Sequence, residues 1–329
     1  MAVGDPSDLV CSKITGFDFF TVGIAISSLL LFTSVSTNTV VRDKAQTDEY
    51  RWNTLQLALQ RQNAASAITR FLEKGIDPIL IKGVAVAEYY PQTISRNSID
   101  IDLAIRADQL AIARSLVASG TFEGIAIDLH CELRHLDCVP WDELYKNSRF
   151  LNVNGNNIRV LRPEDHLRVV CIHWLTDGGR DKERLWDIFY MVANRPADFD
   201  WEQFVGPIPD HRKRWLGCAI GLAHQYLGLK IDDIPIDESL FELPRWLVKT
   251  IEREWSANVK LMPLEVSYRE PRLFVQQMLK RSRPNPIWST VIVNGRFDAP
   301  TRIHYQVASL FVRLFSFFKR HYERHRAKV

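Results

Sequence analysis

The chain has five cysteines, an odd number, and no two of them form a Cys-x-x-Cys pair. Their scatter speaks against a structural zinc site and a disulfide framework, and for a reducing compartment such as the cytoplasm. Cys131 and Cys171 fall within apolar patterns and read as core residues. No internal repeat or low-complexity tract organises the sequence. Charge is absent from Phe19 to Val41, and Gly23 to Phe32 is strongly apolar. Thr and Ser dilute both ends of this stretch, whereas a membrane span asks for about 20 predominantly apolar residues. A secretory signal starts with basic residues, but here Asp5, Asp8 and Asp18 outnumber Lys13. Membrane insertion is therefore the lesser reading. Residues 1–47 are expected to be a buried apolar helix, or upstream sequence included by a wrong start.

What is present is an ordinary globular composition, 46% hydrophobic and 25% charged over 329 residues, enough for one large or two modest domains. The charge is segregated. Residues 269–329 hold 13 Lys and Arg against 3 Asp and Glu, a local +10 within a chain whose net charge is +3.

The most informative stretch is Asp77 to Asp128. At its centre, Ser98-Ile-Asp-Ile-Asp-Leu-Ala-Ile105 alternates carboxylates with aliphatic residues, the period of a strand. Asp100 and Asp102 would share one face, with Ile99, Ile101, Leu103 and Ile105 anchored in the core. Two like charges side by side repel unless a cation lies between them, and Mg²⁺ is held by one or two carboxylates together with substrate phosphate oxygens. A pair of solvated carboxylates on an edge strand is the alternative. Upstream, Asp77-Pro-Ile-Leu-Ile-Lys-Gly83 is an apolar strand ending at a glycine before the helix-compatible Val84 to Tyr90. That turn would present backbone N–H groups to an anion, with Lys82 adding positive charge. Downstream, Gly124 to Leu133 alternates again, with Asp128, His130 and Glu132 on one face. Beside the first acidic strand, Asp128 would join the other two carboxylates.

Lys82-Gly83, Arg96-Asn-Ser-Ile-Asp-Ile-Asp-Leu103 and Ile127-Asp-Leu-His130, in this order, resemble the polymerase-β-like nucleotidyltransferases. They are most similar to a branch of bacterial nucleotidyltransferases with Lys-Gly, Asp-Ile-Asp-Leu and Asp-Leu-His motifs, over roughly residues 48 to 195. Val84 departs from the Gly or Ser of the wider superfamily, and the interval from Gly120 to Asp128 is short. The resemblance implies an α+β fold, with a small mixed-sheet α/β core over 48–161 and a mainly helical region over 162–329. It implies Mg²⁺ or Mn²⁺ on Asp100, Asp102 and Asp128 as catalytic carboxylates. Lys82, Gly83, Arg96 and Ser98 would meet the nucleotide. The activity implied is transfer of a nucleoside monophosphate, most simply AMP from ATP, to a hydroxyl of a small molecule, peptide or protein. A catalytically silent relative acting as a regulatory protein, such as a toxin-antitoxin component, is the alternative.

Around this core, Asp48 to Lys74 reads as an amphipathic helix ended by Gly75, Arg106 to Val117 as another, and Phe150 to Leu161 as a hairpin turning at Asn154-Gly155. Helices follow from Pro163 and from about Asp181. His166 and His173 share a helix face without a third ligand at diagnostic spacing, so both read as core or substrate-shelf residues. The last segment, Thr301 to Lys328, joins Val307, Leu310, Phe311, Leu314, Phe315, Phe317 and Phe318 to a basic end. It is expected to pack as a terminal helix, with an anionic membrane or nucleic acid as the alternative partner.

Overall fold

A computed structural model of the protein describes residues 37–92, 94, 96, 98–133, 136–257, 270–282 and 284–326. The apolar stretch from Phe19 lies almost wholly outside the described residues. Residues 37–47 belong to a long helix, α1 (Thr37–Leu72). Among the described residues no helix is long and apolar enough to cross a membrane.

The chain forms two compact units, one comprising the described residues up to His130 with Phe150–Arg159, the other Cys131–Arg149 and the chain from Val160 onward. The fold is α+β. In the first unit a five-stranded mixed sheet runs β3 (Ile127–Cys131), β2 (Ile101–Ile105), β1 (Ile79–Leu80), β5 (Asn156–Val160), β4 (Arg149–Val153). Three helices accompany it: α1, the single turn α2 (Val84–Ala87), and α3 (Leu110–Ala118). The C-terminal half of α1 buries Ala64, Ala67, Ile68 and Phe71, and Phe71 stacks on Phe122 at 4.7 Å between ring centroids. Leu55, Leu59 and Leu72 of the same helix are exposed. Gly75 closes the helix with φ +72°, a conformation that costs glycine little. The hairpin turns at Asn154 (φ +51°) and Gly155 (φ +81°), the paired positive values of a type I′ turn, as the Asn-Gly pair implies.

The second unit is helical: α4 (Trp141–Lys146), α5 (Pro163–Thr176), α6 (Leu185–Ala193), α7 (Trp201–Val205), α8 (Asp210–Leu227), α9 (Arg245–Ser256), α10 (Pro271–Ser282), α11 (Pro286–Ile292) and α12 (Ile303–Arg326). Pro163 occupies the first turn of α5, where its missing N–H is not needed. The helix is buried nearly all round, and Cys171 and His166 are core residues, whereas Cys131 is only half-buried. His173 lies 3.4 Å from Asp177 at the end of α5. α6 begins four residues later than expected, because residues 182–184 form a turn before it.

An ion cluster buried on α5 ties this unit together. The guanidinium of Arg168 donates to Asp137 at 2.9 Å and to Asp165, and to the backbone carbonyls of Gln203 (2.8 Å) and Phe204 (3.3 Å). Burial pushes the Asp137 carboxyl above its ordinary value despite the opposing charge of Arg168. Removing one partner of a buried ion pair leaves an uncompensated charge, at a cost of about 3–5 kcal/mol. Arg168→Leu should therefore lower stability by about that amount in denaturant titration at neutral pH. Without the opposing charge of Arg168 the Asp137 carboxyl of the variant binds its proton more readily still, so the deficit should shrink as the pH falls toward the raised pKa of the wild-type carboxyl. A deficit independent of pH would contradict this origin.

Candidate active site

The register of the sheet builds the site. β1 pairs antiparallel with β2, placing Ile79 opposite Ala104 and Leu80 opposite Leu103. Ile81 N–H then donates to the carbonyl of Asp102 at 3.1 Å, so the next residue, Lys82, reaches the Asp102 side chain. On the other edge, Ile101 N–H donates to Ala126 at 2.9 Å, which sets β3 beside β2. Asp128 and His130 are two residues apart on β3, and side chains at that spacing share a face.

Three predicted or neighbouring polar residues thus converge on Asp102. Lys82 Nζ lies 2.5 Å from Asp102 Oδ1. His130 Nε2 lies 3.3 Å from the same oxygen and 3.4 Å from Asp128 Oδ2. Asp102, Asp128 and His130 each offer one ligand atom, all within 4.8 Å of one another. Asp102 and His130 are buried, whereas the Asp128 side chain is 23% exposed, so the cluster is closed on one side and reachable on the other. His130 is the residue missed by the search for carboxylates. Its signal was the alternation that puts it on the Asp128 face, in Asp-Leu-His.

The charges explain one another. Burial alone would raise the Asp102 carboxyl, but the His130 hydrogen bond and the Lys82 charge overcome it and hold Asp102 well below the usual carboxylate range. Burial likewise works against ionisation of Asp128, and the hydrogen bond and charge of His130, together with the Lys82 charge, outweigh it, so this carboxyl too is lowered. For His130, burial disfavours the charged ring, yet the two carboxylates raise its pKa above the ordinary value.

The remaining sequence candidates sit around the Gly83 turn. Gly83 has φ +61° and ψ −119°, a region essentially restricted to glycine. A Cβ there would come to 3.8 Å from Ser98 Oγ and the Asp100 carbonyl, so the turn lies against the Ser98–Asp100 loop. Ser98 Oγ donates to the Asp100 carbonyl (3.1 Å) and to Asp100 Oδ1 (3.3 Å). Buried Arg96 donates to the Gly83 carbonyl at 3.2 Å, bracing the turn from behind. Asp100 stands just ahead of β2 and is not one of the three residues clustered within 4.8 Å. Ile99 departs from the expected alternation: it is 93% exposed, because the strand begins only at Ile101. Val84 fills the core at the start of the one-turn α2.

Lys82 links the Gly83 turn to the acidic cluster. Replacing it with Met removes a charge-assisted hydrogen bond worth about 2 kcal/mol. The lowered pKa of Asp102 means that its stabilisation is present above the unfolded carboxylate range and lost as pH falls through the folded value. Lys82→Met should therefore lower the melting temperature at neutral pH, with the difference from wild type narrowing toward strong acid. An unchanged melting temperature at neutral pH would show that the pair contributes nothing.

Searches of curated proteins and of solved structures returned no match. The family described as uncharacterised nucleotidyltransferase matches residues 31–228, well over half of the chain and the whole stretch that carries the Gly83 turn, Asp100, Asp102, Asp128 and His130. The chain belongs to this nucleotidyltransferase family.

Proposed function

We propose that the protein transfers a nucleoside monophosphate, most simply AMP from ATP, to a hydroxyl of a small molecule, peptide or protein, with Mg²⁺ or Mn²⁺ at the acidic cluster. The observation that supports this reading is the approach of the Asp102, Asp128 and His130 ligand atoms to within 4.8 Å, on adjacent strands of a member of this family. The donor set fits such a cation: two carboxylate oxygens suit Mg²⁺ and Mn²⁺, and imidazole is acceptable to Mn²⁺. Asp102 and Asp128 would hold the ion, with Asp100 at the mouth of β2 as a further carboxylate and His130 orienting the two ligands it touches. When bound, a divalent cation neutralises charge on the phosphates and eases loss of the acceptor proton.

The chain's own groups divide the remaining work. Lys82 and Ser98, with the backbone N–H groups of the Gly83 turn, form the phosphate side. Arg96 fixes that turn through the Gly83 carbonyl. Asp128, the most exposed member of the cluster, would hold the ion on the acceptor side or take the acceptor proton as the acceptor oxygen attacks the α-phosphorus. The new oxygen–phosphorus bond forms as the bond to pyrophosphate breaks, and preorganised charge does most of the catalysis.

A second reading, a catalytically silent nucleotidyltransferase-like regulatory protein such as a toxin-antitoxin component, is favoured by one observation. Lys82 Nζ and His130 Nε2 already meet the Asp102 carboxylate, at 2.5 Å and 3.3 Å, with partners of the chain's own. Pyrophosphate release from each Mg·NTP, in the presence of cell extract as a source of acceptors, separates the two. The transferase reading predicts release that falls at least about 1000-fold, about 4 kcal/mol, in Asp102→Asn while the fold persists. Release at the normal rate from Asp102→Asn would sink the assignment, and no release with any nucleotide would favour the regulatory reading.

A further inference from the structure

The terminal helix α12 is inside out. Its packed face is polar: Ser309, fully buried, meets Ser289 of α11 at 3.0 Å, and Gln306 donates to the Pro284 carbonyl at 2.7 Å. Arg302 is buried with its guanidinium over the Trp246 ring at 4.8 Å, and Arg313 lies 4.1 Å over Trp288. On the opposite side, Ile303, Val307, Leu310, Phe311, Leu314 and Phe315 are all exposed, with Ile303 and Phe311 each at 67%. Their spacing of i, i+4, i+7, i+8, i+11 and i+12 makes one continuous stripe along three turns. This corrects the expectation that these side chains pack against the protein. A stripe of this size is not left in water by a soluble fold without a use.

We propose that this stripe is a docking surface for an anionic lipid bilayer, on which α12 lies in the interfacial plane. Charge selects this occupant. Beyond Phe315 the same helix carries Lys319, Arg320, Arg324 and Arg326 against Glu323, within a segment whose local charge is +10. An apolar face on a strongly basic helix is the composition of an interfacial anchor. A second copy of the chain would bring the same +10 segment against itself, at a repulsive cost. Nucleic acid would meet Ile, Val, Leu and Phe, which offer its phosphates no donor. α10 has the same character, exposing Val275, Met278 and Leu279 and carrying Arg272, Lys280 and Arg281 without an acidic residue.

The test is flotation of the full-length chain with vesicles of phosphatidylcholine alone, and of phosphatidylcholine and phosphatidylglycerol in equal parts. Wild type should float with the anionic vesicles and not with the neutral ones, and added salt should weaken the binding. Phe311→Ser/Phe315→Ser should bind at least about tenfold more weakly, since each change removes an inserted ring. These side chains make few contacts in the folded protein, so the melting temperature should be unchanged. Leu310→Ser/Leu314→Ser should behave alike. Failure of wild type to bind anionic vesicles would overturn the proposal. So would undiminished binding by both variants, which would assign any lipid affinity to another segment. A wild-type dimer dissolved by the same substitutions, without vesicle binding, would show that a second copy is the occupant.

Discussion

A carboxylate in the middle of a sheet must be kept charged with little help from water, and at Asp102 two side chains do this. Lys82 arrives from the end of β1 and His130 from β3, so the ionic contact spans three adjacent strands. Each element is placed by that need. The β1–β2 register brings Lys82 alongside, and Gly83 then bends the chain away at a φ that other residues avoid. Buried Arg96 satisfies the carbonyl exposed by that bend. On β3 the alternation sets Asp128 beside His130, leaving one carboxylate deep and the other near solvent. The result is a buried carboxylate held by a lysine and a histidine, with a second, partly exposed carboxylate at its edge.

Much of this was legible in the sequence, for physical reasons. Period-2 alternation with acids on one face marks a strand, and both acidic strands lie where it placed them, trimmed by the loops at their ends. The Asn154-Gly155 turn was legible because a type I′ turn requires positive φ at both central positions. The limits are equally physical. Alternation does not reveal where a strand starts, so Ile99 was assigned to a core it does not enter. Nor does a list of carboxylates reveal which is deepest: Asp102, not Asp100, takes the central place, and the third member of the tight cluster is an imidazole. Lys82 and Arg96 are phosphate candidates on sequence, and the fold adds a partner within the chain for each. In the folded chain Lys82 meets the Asp102 carboxylate and Arg96 the Gly83 carbonyl.

The helical unit shows the converse problem. In α12 the apolar stripe is unmistakable, and a stripe of this kind ordinarily faces the core. Here small and polar residues make the helix contact through the Ser289–Ser309 pair, while the Phe and Leu residues remain outside. Hydrophobic periodicity identifies a helix and its apolar face; it does not say whether that face meets protein or something else. By contrast, the Arg168 cluster on α5 was hidden because its partners, Asp137 and Asp165, are ordinary polar letters until the fold buries them together.

If the acidic cluster works as proposed, nucleotide binds there through a divalent cation. Calorimetric titration of ATP into wild type and into Asp102→Asn/Asp128→Asn, each with Mg²⁺ and with EDTA, tests it most directly. Binding to wild type should be saturable, require Mg²⁺ and be lost in the double variant. Binding of equal strength in EDTA, or undiminished in the folded double variant, would contradict it.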